Sequence, residues 1–395
     1  MDAEWRHSPG LCETCVKIGI VTIFKANNYG AELQAFALQK KLELMGYDAE
    51  LVDYPFYKHV SHRRSRLSAP EFDIGLMNRV KEQIYPVWQR IVGVRHRRAL
   101  LAREARMDAF HQQHTRLSAR TYCTLDALYA SPPSCDVFMV GSDQVWNPRM
   151  YTSIAPYFLD FAPSGKRRVA YAPSFGVSSL PASVKGYYAK HLNTFDALSV
   201  REPQGIAIIR ELTGRHVERV LDPTLLLDAK MWSTVARPPE SSEPYVLVYD
   251  LMSSPTALAV ARRVAKRLKI PRVLRVCGTQ HSRREEGIED IRDAGPAEFV
   301  GLFSHAAFVI TNSFHGTAFA INYQIPFYAI IPGRMKNAGR IGSLLELTGL
   351  NGRMLAEDQA PHHPIDADVD FTFAQAEMAH SAQASLAYLA RSMTG

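Results

Sequence analysis

The segment Thr311-Asn-Ser-Phe-His-Gly316 places an imidazole among small polar residues, directly after an apolar run and where a helix is predicted to begin. Free backbone N–H groups and the helix dipole make such a helix start attractive to an anion. Asn312 or Ser313 can cap the helix, and Gly316 lets the backbone approach a ligand. Imidazole titrates near neutral pH, so His315 is suited to proton transfer at a bound anion. A capped helix with a packed histidine is the structural alternative.

Two more loops at predicted strand ends carry polar side chains suited to a sugar. Asn27-Asn-Tyr-Gly30 lies between the first strand and its helix, and a simple turn is the alternative. Gly141-Ser-Asp-Gln-Val-Trp-Asn147 combines a carboxylate, two amides, a hydroxyl and an indole, which can bind sugar hydroxyls and the apolar face of a sugar ring. Asp143 could act there as a general base. The alternative is a turn with Trp146 buried in the core.

A guanidinium follows another predicted strand. In Ser199-Val-Arg-Glu202, Arg201 could bind a carboxylate or phosphate with two hydrogen bonds, although an ordinary surface pair with Glu202 is the alternative. Leu221-Asp-Pro-Thr224 adds a further acid at a strand end, or only a turn. The sequence contains no dinucleotide-binding fingerprint, P-loop, HExxH or nucleophile-elbow motif.

These loops need parallel strands to hold them at one edge of a sheet. Lys17–Phe24 is a nearly continuous apolar run, which predicts a strand buried on both faces. A helix that ends near Gly46 and a strand over 49–54 complete a βαβ unit. Ligands of parallel sheets bind at the carboxyl ends of the strands, so the polar loops should face a common cleft. Further strands are predicted at 136–141, 168–172, 197–200, 217–221, 245–249, 272–276, 308–311 and 326–331.

The length of 395 residues and a proline-rich linker predict two domains. The linker, residues 237–244, separates an N-terminal Rossmann-like domain (17–236) from a C-terminal one (245–370). Residues 1–16 are an N-terminal extension, and residues 371–395 are predicted to form one terminal helix. The fold class predicted is α/β, with two parallel sheets facing across a cleft.

A basic insertion interrupts the first domain at residues 58–115. From Lys58 to Arg106 there are twelve Lys/Arg and four acids, more than enough to account for the net charge of +7. This part, residues 58–106, could rest on an anionic membrane surface, although a solvated helical face is the alternative. No nucleic acid is expected as a partner, because the basic residues are not part of a known reader motif. A polar N-terminus and the lack of a long apolar stretch predict a cytoplasmic protein, associated at most with the inner face of the cell membrane.

The five cysteines are odd in number and widely spaced, which does not indicate a disulfide framework. Cys12 and Cys15 form a CxxC pair, but no second pair follows at the spacing of a zinc site. We therefore expect no metal.

Taken together and in this order, the loops resemble the polysaccharide pyruvyl transferase family. The resemblance implies a fold similar to GT-B glycosyltransferases, with a last helix that crosses back to the first domain. It also implies phosphoenolpyruvate as donor, a sugar hydroxyl pair as acceptor, a pyruvate ketal as product, and no metal or nucleotide cofactor. The matching segments are 28–34, 140–147, 171–176, 199–202, 221–223 and 311–316.

Family members hold the donor with an Arg of the first half and an Arg-x-His motif of the second, which correspond here to Arg201, Ser313 and His315. Ser313 departs from this pattern and removes a cation, for which we expect Arg340 to substitute. We therefore assign catalysis to His315, Arg201 and Asp143, donor binding to Asn312, Ser313, Phe314, Gly316 and Arg340, and acceptor binding to Asn28, Tyr29, Gly30, Gln144, Trp146, Asn147, Ser174 and Asp222.

In this interpretation His315 is the general acid and the partner of the phosphate, while Asp143 is a base for the attacking hydroxyl. The acceptor is expected to be a sugar or a lipid-linked oligosaccharide. Two alternatives stay open. A GT-B glycosyltransferase with a nucleotide sugar should carry a ribose-binding acid late in the second domain, and residues 331–345 offer no clear one. A non-catalytic carbohydrate- or anion-binding protein would be consistent with Ser313.

Overall fold

The computed structural model describes residues 16–54, 96–150, 153–277, 284–331 and 338–394. The predicted membrane contact therefore lies largely outside the described residues, and Cys12 and Cys15 lie wholly outside them.

The first half of the chain builds a six-stranded parallel sheet in the order β2-β1-β3-β4-β5-β6. Most of its strands are short apolar runs buried on both faces, as expected of parallel strands covered by helices. The strands are β1 Lys17–Val21, β2 Asp48–Leu51, β3 Val137–Val140, β4 Arg167–Ala170, β5 Ala197–Val200 and β6 Glu218–Arg219.

In the described ranges, six α-helices accompany this sheet. Asn28 begins the first of them, because its side-chain oxygen accepts the N–H groups of Gly30 and Ala31. A helix over 96–114, which belongs to the basic insertion, packs on the same domain. The helices are α1 Tyr29–Leu44, α2 96–114, α3 Leu125–Ala130, α4 Ala182–Leu192, α5 Pro203–Thr213 and α6 Ala229–Ser233.

Residues 237–244 form neither helix nor strand and lead into a second parallel sheet in the order β12-β11-β10-β7-β8-β9. The central strand β10 pairs with β7 and β11, so the loops after these strands emerge side by side. The elements are β7 Tyr245–Tyr249, α7 Pro255–Leu268, β8 Arg272–Val276, β9 Glu289–Ile291, α8 Pro296–Ser304, β10 Phe308–Thr311, α9 Phe314–Asn322, β11 Phe327–Ile331, α10 Ala338–Leu347 and β12 Met354–Ala356.

The last helix, α11 (Thr372–Met393), crosses back to the first half. The Tyr388 hydroxyl donates to the carbonyl of Ala170 at 2.8 Å, and the Ser385 hydroxyl oxygen accepts the N–H of Leu221 at 2.9 Å. The α/β fold predicted from the sequence, with two parallel sheets and a last helix that crosses back, is thus confirmed. None of the helices in the described ranges combines the length and apolarity needed to cross a bilayer.

Side chains from both sheets share one apolar core, so the two halves are packed together beside the cleft. The Tyr29 ring of α1 stacks on the Phe299 ring of α8 with centroids 4.4 Å apart, and its hydroxyl donates to the carbonyl of Ala294 at 2.8 Å. This contact fixes where the start of α1 meets the second half.

Candidate active site

The starts of α1 and α9 meet across the cleft. Gly30 lies directly against the imidazole of His315, and a Cβ added at Gly30 would come within 2.0 Å of the His315 Nδ1 atom. Ser313 caps α9, because its Oγ accepts the N–H of Gly316 at 3.4 Å. Two helix N-termini, each with a positive dipole end, therefore flank the same imidazole.

His315 is 7% exposed, and its Nε2 atom has no hydrogen-bond partner in the described part of the chain. That atom lies 3.7 Å from Oδ2 of Asp222, slightly beyond hydrogen-bond distance. A small movement of the ring would pair the two groups.

Asp222 is fully buried and connects several parts of the site. Its Oδ2 accepts Nη1 of Arg201 at 2.5 Å, while Oδ1 accepts the hydroxyl of Thr224 at 2.8 Å. Burial by itself would raise the pKa of the Asp222 carboxyl, but the interactions with His315 and with the charge of Arg201 outweigh burial and hold this pKa well below its usual range. Both oxygens already accept hydrogen bonds within the site, and the acceptor-binding role of Asp222 stays a prediction.

Arg201 is held by three carboxylates. Its nitrogens lie 2.8 Å from Glu202, 2.5 Å from Asp222 and 3.3 Å from Asp143. The guanidinium also lies over the Phe314 ring, 4.9 Å from its centroid. Burial by itself would lower the pKa of Arg201, but the three carboxylate partners outweigh it and raise this pKa above its usual value. The three carboxylates use three of its five N–H groups, which leaves two for a ligand among the described contacts. Its role as a donor ligand stays a prediction.

Arg340, at the start of α10, differs from Arg201 in having no counter-ion among the described residues. Its Nε atom is buried without a hydrogen-bond partner among the described residues, and no carboxylate of those residues lies within 4.0 Å of the guanidinium. Burial lowers the pKa of Arg340, and the neighbouring charge of Arg201 lowers it further. An anionic ligand would satisfy both the N–H group and the charge.

The loop after β3 contributes Asp143, whose side chain is 15% exposed and whose backbone is left-handed at φ 63°. Sequence reasoning missed the neighbouring Ser142, whose hydroxyl lies 3.2 Å from Oδ2 of Asp222. It also missed Gln34, whose Oε1 accepts the N–H of Ser142 at 3.0 Å. Gln34 lies inside the segment 28–34 that carried the resemblance, which is the signal that could have identified it.

Gln144 and Asn147 lie together at this loop, with Nδ2 of Asn147 donating to Oε1 of Gln144 at 2.9 Å. Both are half-buried next to Gly176, so they stay predicted acceptor ligands. Trp146 is fully buried, and its indole N–H donates to the carbonyl of Tyr157 at 2.9 Å. The prediction that Trp146 binds a sugar is wrong, because neither face of the ring is open.

Burial also corrects the predictions that Ser174 and Tyr29 bind the acceptor and that Asn312 binds the donor. Ser174 is fully buried and its Oγ accepts the N–H of Gly176 at 3.1 Å. Asn312 is fully buried, and its amide connects to Asp250 and to the N–H of Leu251. These side chains hold loops together and have no surface left for a ligand.

Tyr29 is the third, at 1% exposure. Its ring lies between Phe299 and the guanidinium of Arg103, whose carbon is 4.5 Å from the ring centroid. Arg103, which sequence reasoning missed, donates to the carbonyls of Asn27 and Cys277 at 3.0 and 2.9 Å. Tyr29 therefore joins the two halves and does not bind the acceptor, while Asn28 is exposed beside it.

The structure thus brings His315, Arg201 and Asp143 around Asp222, with Gly30 and Arg340 at the same cleft. Phe314, Ser313 and Gly316 form the start of α9 beside them. Within the described part of the chain, these residues combine an imidazole whose buried Nε2 has no hydrogen-bond partner, a carboxylate within reach of solvent, and a guanidinium without a counter-ion. Such a set can transfer protons at an anionic substrate.

The chain is similar to known proteins in both sequence and structure. A sequence model of the polysaccharide pyruvyl transferase family matches residues 28–333. Curated protein sequences gave no match. Among solved structures, a UDP-GlcNAc 2-epimerase of Methanocaldococcus jannaschii is 10% identical with a TM-score of 0.48, and covers 95% of this chain and 100% of its own. A UDP-N-acetylglucosamine 2-epimerase of Rickettsia bellii is 8% identical with a TM-score of 0.47, over 96% and 97% of the two chains. A spinosyn rhamnosyltransferase is 12% identical with a TM-score of 0.42, over 96% and 99%.

Proposed function

The chain belongs to the polysaccharide pyruvyl transferase family, and we propose that it transfers the pyruvate unit of phosphoenolpyruvate to two hydroxyls of one sugar. The product would be a pyruvate ketal on a polysaccharide or its precursor, with inorganic phosphate released. One observation carries this proposal most directly. The imidazole of His315 lies at a helix start in the cleft, and its Nε2, 3.7 Å from Asp222, has no hydrogen-bond partner among the residues that the structure describes.

The proposed reaction balances with no redox partner. One sugar hydroxyl oxygen attacks C2 of the enol ester, and C3 takes a proton. The bond between C2 and the phosphate oxygen then breaks, and a second hydroxyl oxygen of the same sugar bonds to C2. Of the two hydroxyl protons, one ends in the new methyl group and the other leaves with inorganic phosphate.

In this scheme Nε2 of His315 supplies the proton that C3 takes, and the nearby Asp222 carboxylate balances the charge of the ring while the ring carries that proton. Asp143 accepts the proton of the attacking hydroxyl, because it is the carboxylate of the site that reaches the cleft surface, with 15% of its side chain exposed. The start of α9 and Arg340 stabilise the charge on the departing phosphate. Arg340 thereby supplies the cation that Ser313 does not.

Acceptor-dependent phosphate release tests the proposal. The full-length protein is incubated with phosphoenolpyruvate and a panel of methyl glycosides of common hexoses, and inorganic phosphate is measured over time. We expect release with at least one glycoside and none without an acceptor. Release of a nucleoside diphosphate from a nucleotide sugar, with phosphoenolpyruvate unchanged, would instead indicate a glycosyltransferase. Binding of both ligands without turnover would indicate a non-catalytic protein.

Gly30→Ala is expected to lower kcat about 100-fold. The added methyl group must push the imidazole of His315 away, because it would lie 2.0 Å from Nδ1, and a misplacement of about 1 Å costs roughly 10²-fold in rate. Gly186→Ala in α4 is the matched control, since a Cβ there meets no atom within 4 Å. Turnover of the Gly30 variant at the level of the control would show that the contact has no role.

Arg340→Gln is expected to raise KM for phosphoenolpyruvate by roughly 10- to 100-fold, because a charged hydrogen bond contributes about 1.5–3 kcal/mol. The measurement is the dependence of phosphate release on phosphoenolpyruvate concentration. Arg210→Gln, at an exposed position of α5, is the control. An unchanged KM would show that a residue other than Arg340 supplies the cation that Ser313 lacks.

We further propose that the acceptor is lipid-linked and that residues 58–106 contact an anionic membrane surface. The count of twelve Lys/Arg against four acids in this segment supports the idea. Co-sedimentation with vesicles of phosphatidylglycerol should exceed that with phosphatidylcholine and weaken as salt is raised. Equal sedimentation with both lipids, or none, would contradict it.

A further inference from the structure

A cavity of about 260 Å³ adjoins Arg201 and Phe314. Three parts of the fold enclose it: the region after β6 in the first half, α10 in the second half, and α11 where it crosses between them. Several polar lining groups have no part in the proton transfers described above. They are Arg219, Ser343, Glu377, His380 and Ser381.

The arginines that line this cavity differ in whether a carboxylate lies close to them. Glu202 and Asp222 are both bound to Arg201. In the described part of the chain, Arg219 and Arg340 have no carboxylate within 4.0 Å, and Nη2 of Arg219 donates only to the carbonyl of Ser343, at 3.0 Å. Burial lowers the pKa of Arg219, although Glu346 and Glu202 oppose this effect. Glu377 is the third carboxylate of the lining, so three arginines and three carboxylates balance in formal charge, but Arg219 and Arg340 have no carboxylate of the described residues close to them.

The rest of the lining sets the size and character of a ligand. Leu225, Leu344 and Leu347 contribute apolar surface, and the cavity volume lies near the lower end of the roughly 300–1,000 Å³ typical of small-molecule sites. Two guanidinium groups and an imidazole from three separate elements can offer donors to several oxygens of one group. A phosphate dianion fits this arrangement better than a carboxylate, which has one charge and two oxygens.

We propose that this cavity binds the phosphate end of the donor, with Arg219, His380 and Arg340 as its ligands and α11 as its outer wall. The inference rests on the proposed function and extends it. It gives the buried Nε of Arg340 an acceptor. It also gives the terminal helix a part in substrate binding, because His380 of α11 lines the cavity.

Inhibition kinetics on the full chain test this assignment. Arg219→Gln and His380→Gln are compared with Gln383→Ala, an exposed position on the same helix. For each protein, KM for phosphoenolpyruvate and the inhibition constants of inorganic phosphate and of pyruvate are measured. We expect KM for phosphoenolpyruvate and the inhibition constant of inorganic phosphate to rise about tenfold in Arg219→Gln and in His380→Gln, because each variant loses one charged hydrogen bond. The inhibition constant of pyruvate should stay the same.

Each other outcome has a distinct meaning. If the wild-type protein releases phosphate from phosphoenolpyruvate, but both variants keep its KM and the inhibition constant of phosphate, the cavity assignment is wrong and the proposed function stands. If pyruvate inhibition weakens and phosphate inhibition does not, the cavity holds a carboxylate, which also overturns the assignment. If the wild-type protein releases no phosphate with any acceptor, the proposed function itself fails.

Discussion

Replacing His315 with alanine is expected to lower kcat by roughly 10²- to 10⁴-fold, the usual contribution of a general acid. The loss should be catalytic and not structural. The imidazole lies in the cleft at 7% exposure with an unpaired Nε2, and Asp222 retains Arg201 and Thr224 as partners when the ring is removed. Acceptor-dependent phosphate release measures the effect, and the thermal unfolding midpoint verifies the fold.

His216→Ala is the matched control, because that histidine is exposed between α5 and β6. His315→Gln separates proton transfer from space filling, since an amide occupies similar room and does not titrate. We expect the Gln variant to be nearly as slow as the Ala variant. Turnover of a folded His315→Ala protein at the wild-type rate would remove the imidazole from the mechanism.

Replacing Arg201 with methionine is expected to destabilise the protein by about 3–5 kcal/mol, because it leaves a buried cluster of carboxylates without their cation. Asp222 is fully buried, and Glu202 and Asp143 lie within 3.3 Å of the same guanidinium. Urea unfolding followed by circular dichroism gives the change in free energy of unfolding. Activity should be lost at the same time, because Asp222 and Asp143 lose the group that positions them.

The pH dependence of unfolding gives a second measure of the same cluster. In the wild-type protein the pKa of Asp222 is depressed on folding, so its stabilising contribution is present above the ordinary carboxyl pKa and lost as pH falls below about 4. In the Arg201→Met variant that dependence should shrink or reverse, since protonation then relieves repulsion. The double variant Arg201→Met/Asp222→Asn should recover part of the stability. A loss under 1 kcal/mol for Arg201→Met would contradict this account of the cluster.

Much of the fold could be predicted from apolar runs. The long buried strands β1, β7 and β10 have this pattern, and the polar loops after them mark the carboxyl edge of each sheet. Strand β9 was not predicted, because Glu-Asp-Ile has only three residues and one apolar side chain, and its stability comes from pairing with β8. The helix over 96–114 was not predicted as a separate element, because its many charged residues obscure the pattern of its buried face, which includes Arg103.

The candidate site was predicted in part. Ser313, His315 and Gly316 could be identified because capping chemistry is local to a helix start. Tyr29 and Trp146 were misassigned, since local sequence does not reveal whether an aromatic side chain after a strand points into the cleft or into the core. The contact between Gly30 and His315 joins distant parts of the chain, and the roles of Ser142 and Arg219 depend on the same long-range packing.

Transfer of labelled donor in deuterated water tests whether the protein forms a pyruvate ketal on a sugar. The protein is incubated in D₂O with phosphoenolpyruvate carrying ¹³C at C2 and with an acceptor glycoside that supports phosphate release, and the purified sugar is analysed by NMR and mass spectrometry. The account predicts that the label becomes a quaternary ketal carbon bonded to two sugar oxygens, next to a methyl group that carries deuterium. An unlabelled sugar, or a label retained in an enol ether with its CH₂ group intact, would contradict it.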